Sequence, residues 1–291
     1  MTAKSKPTVP AKTTAEHVRK STIQPGWLLP QIQMIDQAFS KRWIWWIDRL
    51  YDEKIGDHQI PQIDFHAFPS RSSTSYPVSD GLKKEIGHGS DIKKQFLNVV
   101  NRARLEGVHT GTLLQWFLHG LECNGTIKRP NLSDDLEVLM YQDGVQSLVR
   151  MMGIPGDWAA EIMCEIFDGS KSGTAWFPTP GSLTNIMNQI VFSDSDQDTR
   201  AHSAHDPCCG TGVMLLNASN HCLDLSGQDI DQTMCYWAKL QGYLFVPWLV
   251  YGNTNSIEEI RLHRHRAVYG MVKTNIKRTM PKRARKRIND K

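Results

Sequence analysis

No apolar stretch in this 291-residue chain approaches the 18 or more residues that a membrane-spanning helix requires. The longest candidate, YLFVPWLVY from Tyr243 to Tyr251, is nine long and holds Pro247. The chain is therefore expected not to span a membrane. The first residues, MTAKSKPTVPAKTTAEHVRKST, lack the apolar core of a secretory signal. Six cysteines fall in no dense or regular framework, which fits reduced thiols and a cytoplasmic protein better than disulfide staples. His202, His205, Cys208, Cys209, His221 and Cys222 crowd into 21 residues, but the paired C-x2-C knuckles of a zinc site are missing, so no metal is expected.

What is present is ordinary globular composition. With 40% hydrophobic and 22% charged residues, collagenous, low-complexity and wholly disordered classes are excluded, and one large or two small domains fit the length. The net charge of +4 conceals an asymmetry. From Arg261 to Lys291 there are 12 basic residues and one acidic residue, whereas residues 1–260 hold 22 basic and 29 acidic. The tail has too few apolar residues to fold alone, and each Lys or Arg in it can neutralise a phosphate and release a counterion. Arg278, Lys282, Arg283, Arg285, Lys286 and Arg287 are its densest run and are candidates for contact with DNA. The competing reading is a solvated tail that aids solubility or docks on the acidic body.

Composition and periodicity divide the rest. Residues 1–25 read as a flexible leader, and residues 26–168 as a mainly helical region with a loop at about 56–90 that is rich in Pro, Ser, Gly and His. In RWIWWIDRL, Trp43, Trp46 and Leu50 share one helical face, which is more commonly core or partner contact than a platform for stacking bases. From Asp91 to Asp168 four segments carry apolar residues at a period of 3.6, several ending on Gly; Asn131 to Asp134 supplies a helix N-cap. After Gly169 short apolar runs alternate with glycine turns, the pattern of strands and helices in an α/β unit over residues 169–260.

The most informative stretch is HDPCCGTG, His205 to Gly212, followed by VMLLNAS. Gly210 and Gly212 let backbone approach a ligand closely at a strand-to-helix turn. LDLSGQD reads as a second strand ending at Asp229, 17 positions after Gly212, where a carboxylate can accept both hydroxyls of a ribose. The spacing is not GxGxxG, so a nicotinamide cofactor is not the first choice.

With Asp206-Pro207 ahead of the turn and GQDID behind it, the stretch resembles the S-adenosylmethionine (SAM) site of the N6-adenine DNA methyltransferases, particularly the modification subunits of type I restriction systems and their N-6 DNA methylase relatives. Upstream, GTAWFPTPGSLTNIM (Gly173 to Met187) is similar to that family's Phe-(Phe/Tyr)-Thr-Pro segment, with Phe177, Thr179 and Pro180 at the matching positions and Pro178 where an aromatic residue is usual. WLVYGNT, Trp248 to Thr254, resembles its third strand. The resemblance implies an α/β fold: a partial Rossmann-like SAM-dependent methyltransferase sheet preceded by an all-helical region. It also implies roles. Asp206 would face the methionine amino group, with the backbone of Cys208, Gly210, Thr211 and Gly212 lining the amino-acid moiety. Asp229 would hold the ribose, Ile230 would pack on adenine, and Phe177, Thr179 and Pro180 would contact the cofactor from the other side.

One part of the family pattern is missing. Transfer to adenine N6 uses Asn/Asp-Pro-Pro-Tyr/Phe to hold a flipped base, and none of the 14 prolines here adjoins another. Catalytic residues are therefore not assigned, and beside a DNA adenine N6-methyltransferase two readings stay open: a catalytically silent relative that binds SAM or DNA as a regulatory or partner subunit, and a nucleic-acid-binding protein that uses its basic tail. AHSAH ahead of Asp206 is too polar for a buried central strand, so the first strand is expected to be short or exposed. Three strands at most can be assigned. A half sheet leaves an edge and a face for the helical region, or for a second protein subunit, to cover.

Overall fold

The computed structural model describes residues 11–51, 59–122, 125–166, 177–192 and 203–251. The leader's first ten residues, Gly173 to Trp176, Gly252 to Thr254 and the whole basic tail, including Arg278, Lys282, Arg283, Arg285, Lys286 and Arg287, lie outside the described residues. The fold is mixed α/β but mostly helical, with one two-stranded parallel sheet among the described residues. None of the described helices is long and apolar enough to cross a membrane.

Among the described residues nine helices precede the α/β portion: α1 (Ala11–Thr22), α2 (Leu29–Asp36), α3 (Arg42–Tyr51), α4 (Asp80–Ile86), α5 (Gly89–Leu105), α6 (Thr110–Leu121), α7 (Asp134–Leu139), α8 (Val145–Met151) and α9 (Trp158–Ile166). A π-helical turn, Met140–Gly144, joins α7 to α8. Amphipathic spacing explains why they pack: α5 buries Ile92, Phe96, Val99, Val100 and Ala103 along one stripe. Start and stop chemistry is local. Ser133 caps α7 by accepting from the Leu136 N–H at 3.2 Å, and Gly87, at φ 69°, ends α4 in a conformation that costs a residue with a Cβ.

Residues 11–22 depart from the flexible leader expected there. Ala15, Val18 and Thr22 recur on one face of α1 and are buried, so this short apolar stripe holds the segment against the body. The expected loop at about 56–90 likewise contains α4, a 3-10 turn at Pro69–Arg71 and the start of α5.

The remaining elements are α10 (Gly181–Phe192), β1 (Ser203–Asp206), α11 (Val213–Ala218), β2 (Asp224–Gly227), α12 (Gln232–Phe245) and α13 (Pro247–Tyr251). β1 and β2 run parallel, with Ser203 opposite Asp224 and Asp206 opposite Gly227, and α11 is the crossover between them. β1 is four residues long and alternates exposed and half-buried positions, as its polar sequence leads one to expect. The third strand expected over Trp248 to Thr254 does not form in its described part. Pro247 has no N–H to offer a ladder and its φ suits the first turn of a helix, so Pro247–Tyr251 becomes α13. Trp248 is then buried between Trp45 and Trp46, at ring-centroid distances of 5.7 and 6.0 Å.

One continuous cluster of buried side chains runs from Leu28 to Trp248 through both portions. α12 is its spine: it packs on α6 and α9 on one side and on α11 and α13 on the other. Trp43 and Trp46 lie in this core, and the Trp43 Nε1–H donates to the Tyr243 carbonyl at 2.8 Å. Arg42 is fully buried beside them. Its guanidinium donates to the Pro61 carbonyl (2.8 Å), Ser219 Oγ (2.7 Å), the Phe245 carbonyl (3.3 Å) and Asn220 Oδ1, and its carbon sits 5.0 Å from the Trp248 ring centroid. A charge so far from water is tolerable because nearly every donor is used. This single side chain ties α3 to the end of α11 and the end of α12.

Candidate functional site

The parallel pair ends in two loops that are stitched to one another. Gln228 N–H donates to the Asp206 carbonyl (3.0 Å) and Cys209 N–H to the Gln228 carbonyl (2.9 Å), so the ladder continues past the strands into the glycine turn. The turn is tight, with Gly212 N–H on the Cys209 carbonyl at 2.7 Å. Gly212 has φ 92°, where L side chains are strained, and a Cβ there would come within 3.0 Å of Ala238 on α12. At Gly227 a Cβ would meet Leu215 Cδ1 at 2.7 Å, so the glycine of GQD serves close packing of α11 on β2.

Two carboxylates hold the loops. Asp229 Oδ2 accepts from the Gly210 N–H and its Oδ1 from the Asp231 N–H, both at 2.9 Å. Asp206 Oδ1 accepts from the Cys208 N–H at 3.1 Å. Each carboxylate oxygen has two acceptor positions, so Asp229 keeps one on each oxygen. Asp231 in turn caps α12, accepting from the Thr233 N–H at 2.7 Å.

These loops and the segment ahead of α10 enclose a cleft of about 610 Å³. Of the residues singled out in the sequence, Phe177, Thr179, Asp206, Cys208, Gly210, Thr211, Asp229 and Ile230 line it. Pro180 and Gly212 do not. The Pro180 carbonyl accepts from Leu183 and Thr184 at the start of α10, and Gly212 stands at the N-cap of α11, so both shape helix starts next to the cleft. Thr211 borders the cleft but turns its hydroxyl inward, where it donates to Asp157 Oδ2 at 2.9 Å. Phe177 is 84% exposed and Ile230 is fully exposed, two apolar side chains from separate segments standing in water at the same opening.

The electrostatics are one-sided. Among the fifteen lining residues there are three aspartates, Asp206, Asp229 and Asp231, and no Lys or Arg. Burial pushes the Cys209 thiol up to about 12, with Cys235, Asp206 and Asp229 adding to the effect, so it stays protonated and unreactive. No group of three or more His, Cys, Asp or Glu side chains among the described residues is arranged to hold a metal ion.

The supporting shell was not visible in the sequence. Asp157 is buried at the start of α9 and its carboxyl is held above the ordinary carboxylate range by burial, against hydrogen bonds from the Ala160 N–H, Thr211 and Gln241. Gln241 Nε2 donates both to Asp157 Oδ1 (3.1 Å) and to the Thr211 carbonyl (2.8 Å), so α9 and α12 grip the glycine turn from beneath. GDW ahead of an apolar helix marks Asp157 as a cap. No local signal marks it as the partner of Thr211, 54 positions away.

Compared with models of known protein families, with curated proteins and with solved structures, the chain finds no match in any of the three.

Proposed function

We propose that this chain binds S-adenosylmethionine in the cleft, as a DNA adenine N6-methyltransferase-like protein whose parallel pair is the start of a partial Rossmann-like sheet. The observation that carries the reading is the charge of the cleft, three aspartates with no lysine or arginine among the lining residues. Such a site repels a phosphate-rich dinucleotide. It favours a small zwitterion that carries an extra positive charge, as SAM does on its sulfonium.

The residues present fit the group. The free acceptor positions of Asp229 suit a ribose diol, the second oxygen of Asp206 suits an ammonium, and Phe177 and Ile230 offer apolar faces for a purine. Bound there, SAM supplies an electrophilic methyl group. The chain's own part is to bind and orient: Asp157 and Gln241 hold the turn, and Gly210 and Gly212 allow its close approach. The DNA arm of the proposal rests on the basic run from Arg278 to Arg287.

A second reading is favoured by one specific observation. Without two adjacent prolines the chain has no Asn/Asp-Pro-Pro-Tyr/Phe to hold a flipped adenine, which fits a catalytically silent subunit that binds SAM or DNA beside an active partner. Calorimetric titration with SAM, followed by transfer of a tritiated methyl to unmethylated DNA, separates the two. Binding with transfer supports the enzyme, and binding without transfer supports the silent subunit. Absence of binding removes the cofactor from the cleft. Deleting Arg261 to Lys291 is expected to flatten the salt dependence of DNA binding, and equal slopes with and without the tail would count against that arm.

A further inference from the structure

The three aspartates of the cleft are fixed close to one another. The Asp231 N–H donates to Asp229 Oδ1 at 2.9 Å, Asp231 Oδ1 accepts from the Thr233 N–H at 2.7 Å, and the Asp206 carbonyl accepts from the Gln228 N–H, next to Asp229, at 3.0 Å. Backbone N–H groups meet these carboxylates but carry no formal charge to cancel theirs. No Lys or Arg stands among the described residues that line the cleft. A ligand there enters a field of one sign.

Donors are as scarce in the turn as cations are. Of the five N–H groups from Cys208 to Gly212, four already meet acceptors: Asp206 takes that of Cys208, the Gln228 carbonyl that of Cys209, Asp229 that of Gly210 and the Cys209 carbonyl that of Gly212. The Thr211 hydroxyl is donated to Asp157. The helix that follows, α11, is six residues long, too short to gather much positive potential at its start. Thr179, also in the lining, offers a hydroxyl, which is a neutral donor. What faces a ligand is therefore mostly acceptor, the lone pairs left on Asp206, Asp229 and Asp231. These attract ammonium, sulfonium and hydroxyl groups and repel a carboxylate.

Resting on the SAM reading of this site, we infer that the cleft takes its S-adenosyl ligand as a cation and makes no ion pair with a carboxylate, so that the decarboxylated form of SAM is the preferred ligand. SAM carries a sulfonium, an ammonium and a carboxylate. Losing the carboxylate leaves the adenosine and both positive groups in place and removes only the part that meets like charge. S-adenosylhomocysteine, which SAM becomes when its methyl group leaves, has lost the sulfonium charge and keeps the carboxylate. The order of affinity set by the cleft is therefore decarboxylated SAM, then SAM, then S-adenosylhomocysteine, the order of falling positive charge.

The test is calorimetric titration of the full chain with each of these three ligands, at low and at physiological salt. At low salt decarboxylated SAM is expected to bind about tenfold or more tightly than SAM, and the ratio is expected to shrink as salt screens the aspartates. Asp231→Asn removes one charge and keeps the cap of α12, since Asn caps helices as well as Asp does. It is expected to narrow the same ratio without a fall in melting temperature. A chain that binds SAM as tightly as the decarboxylated form, or more tightly, overturns the inference and leaves the SAM reading standing. A preference that neither salt nor Asp231→Asn moves also overturns it, by placing the cause outside the three aspartates. Failure of all three ligands to bind a chain that is folded by circular dichroism removes the SAM reading and the inference together.

Discussion

Helices α3 and α10 are both rich in apolar residues and turn most of them in opposite directions. In α3, Trp43, Trp45 and Trp46 face the core, where Trp45 and Trp46 pack around Trp248 and Trp43 stacks on Tyr243. Even its first residue, Arg42, points inward, because carbonyls and side-chain oxygens from three other segments meet its donors. In α10 the polar Thr184 and Asn188 are the buried residues, Thr184 accepting from Asn217 of α11, and the aliphatic residues face solvent. Periodicity therefore states that a helix has two faces. Which face is hidden depends on the chemistry of the neighbour, and a satisfied hydrogen bond in a buried seam can outweigh exposed methyl groups.

The contrast can be pressed hardest at Arg42. Arg42→Met leaves Asn220, Ser219 and two carbonyls without their donor, and is expected to lower the unfolding free energy by about 3–5 kcal/mol in urea titrations. A loss under 1 kcal/mol would show that the network is not what fixes α3. Next in size is a pH effect at Asp36, the buried carboxylate that accepts from the Trp43 N–H at 2.9 Å and from the Ser40 hydroxyl. Burial raises its pKa from 3.8 to about 6, against those hydrogen bonds and Arg42. Between these values the folded state binds more protons at Asp36 than the unfolded one, so the contribution of this group to stability is full below pH 4 and is lost as pH rises through about 6. The difference between wild type and Asp36→Asn should therefore change by on the order of 3 kcal/mol across that window, and parallel stability curves would refute it.

On the cleft side of the molecule, effects should appear in binding more than in folding. Asp229→Ala is expected to weaken SAM binding by about 2 kcal/mol, roughly 30-fold, in calorimetry. Unchanged affinity would remove the ribose from that carboxylate. The smallest effect is expected on α10. Ile186→Ala should change the unfolding free energy by no more than about 0.5 kcal/mol, since its side chain is exposed. A loss approaching that of Arg42→Met would erase the distinction between the two helices.

Much of the helical body was legible because its signals are local. The stripe of α5, the Ser133 cap and the tryptophan face of α3 each follow from residues within a few turns of one another. The glycine turn was legible for the same reason, and the structure brings Asp206, Gly210 and Asp229 together at the ends of two parallel strands. The misses share a different cause. Residues 11–22 look like a leader by composition, yet three small buried contacts hold them as a helix. WLVYGNT resembles a third strand, yet Pro247 and the pocket between Trp45 and Trp46 make its described part a helix. Thr211 lines the cleft as expected of a residue in the turn, but that its hydroxyl is a strut to Asp157 has no local signal.

By itself, then, the sequence determined where backbone must turn, which segments are helical in the body, and that an acidic residue stands at or just past the end of each of two short strands. Only the tertiary structure decided that α10 shows its apolar side, that Asp157 and Gln241 brace the turn from beneath, and that Arg42 joins α3 to the α/β portion. The physical reason is range. Turn and capping preferences act through backbone geometry over a few residues, whereas the direction a side chain faces is set by partners that the chain brings near only when it folds, 33 positions away for Asn217 and Thr184 and 177 for Arg42 and Ser219.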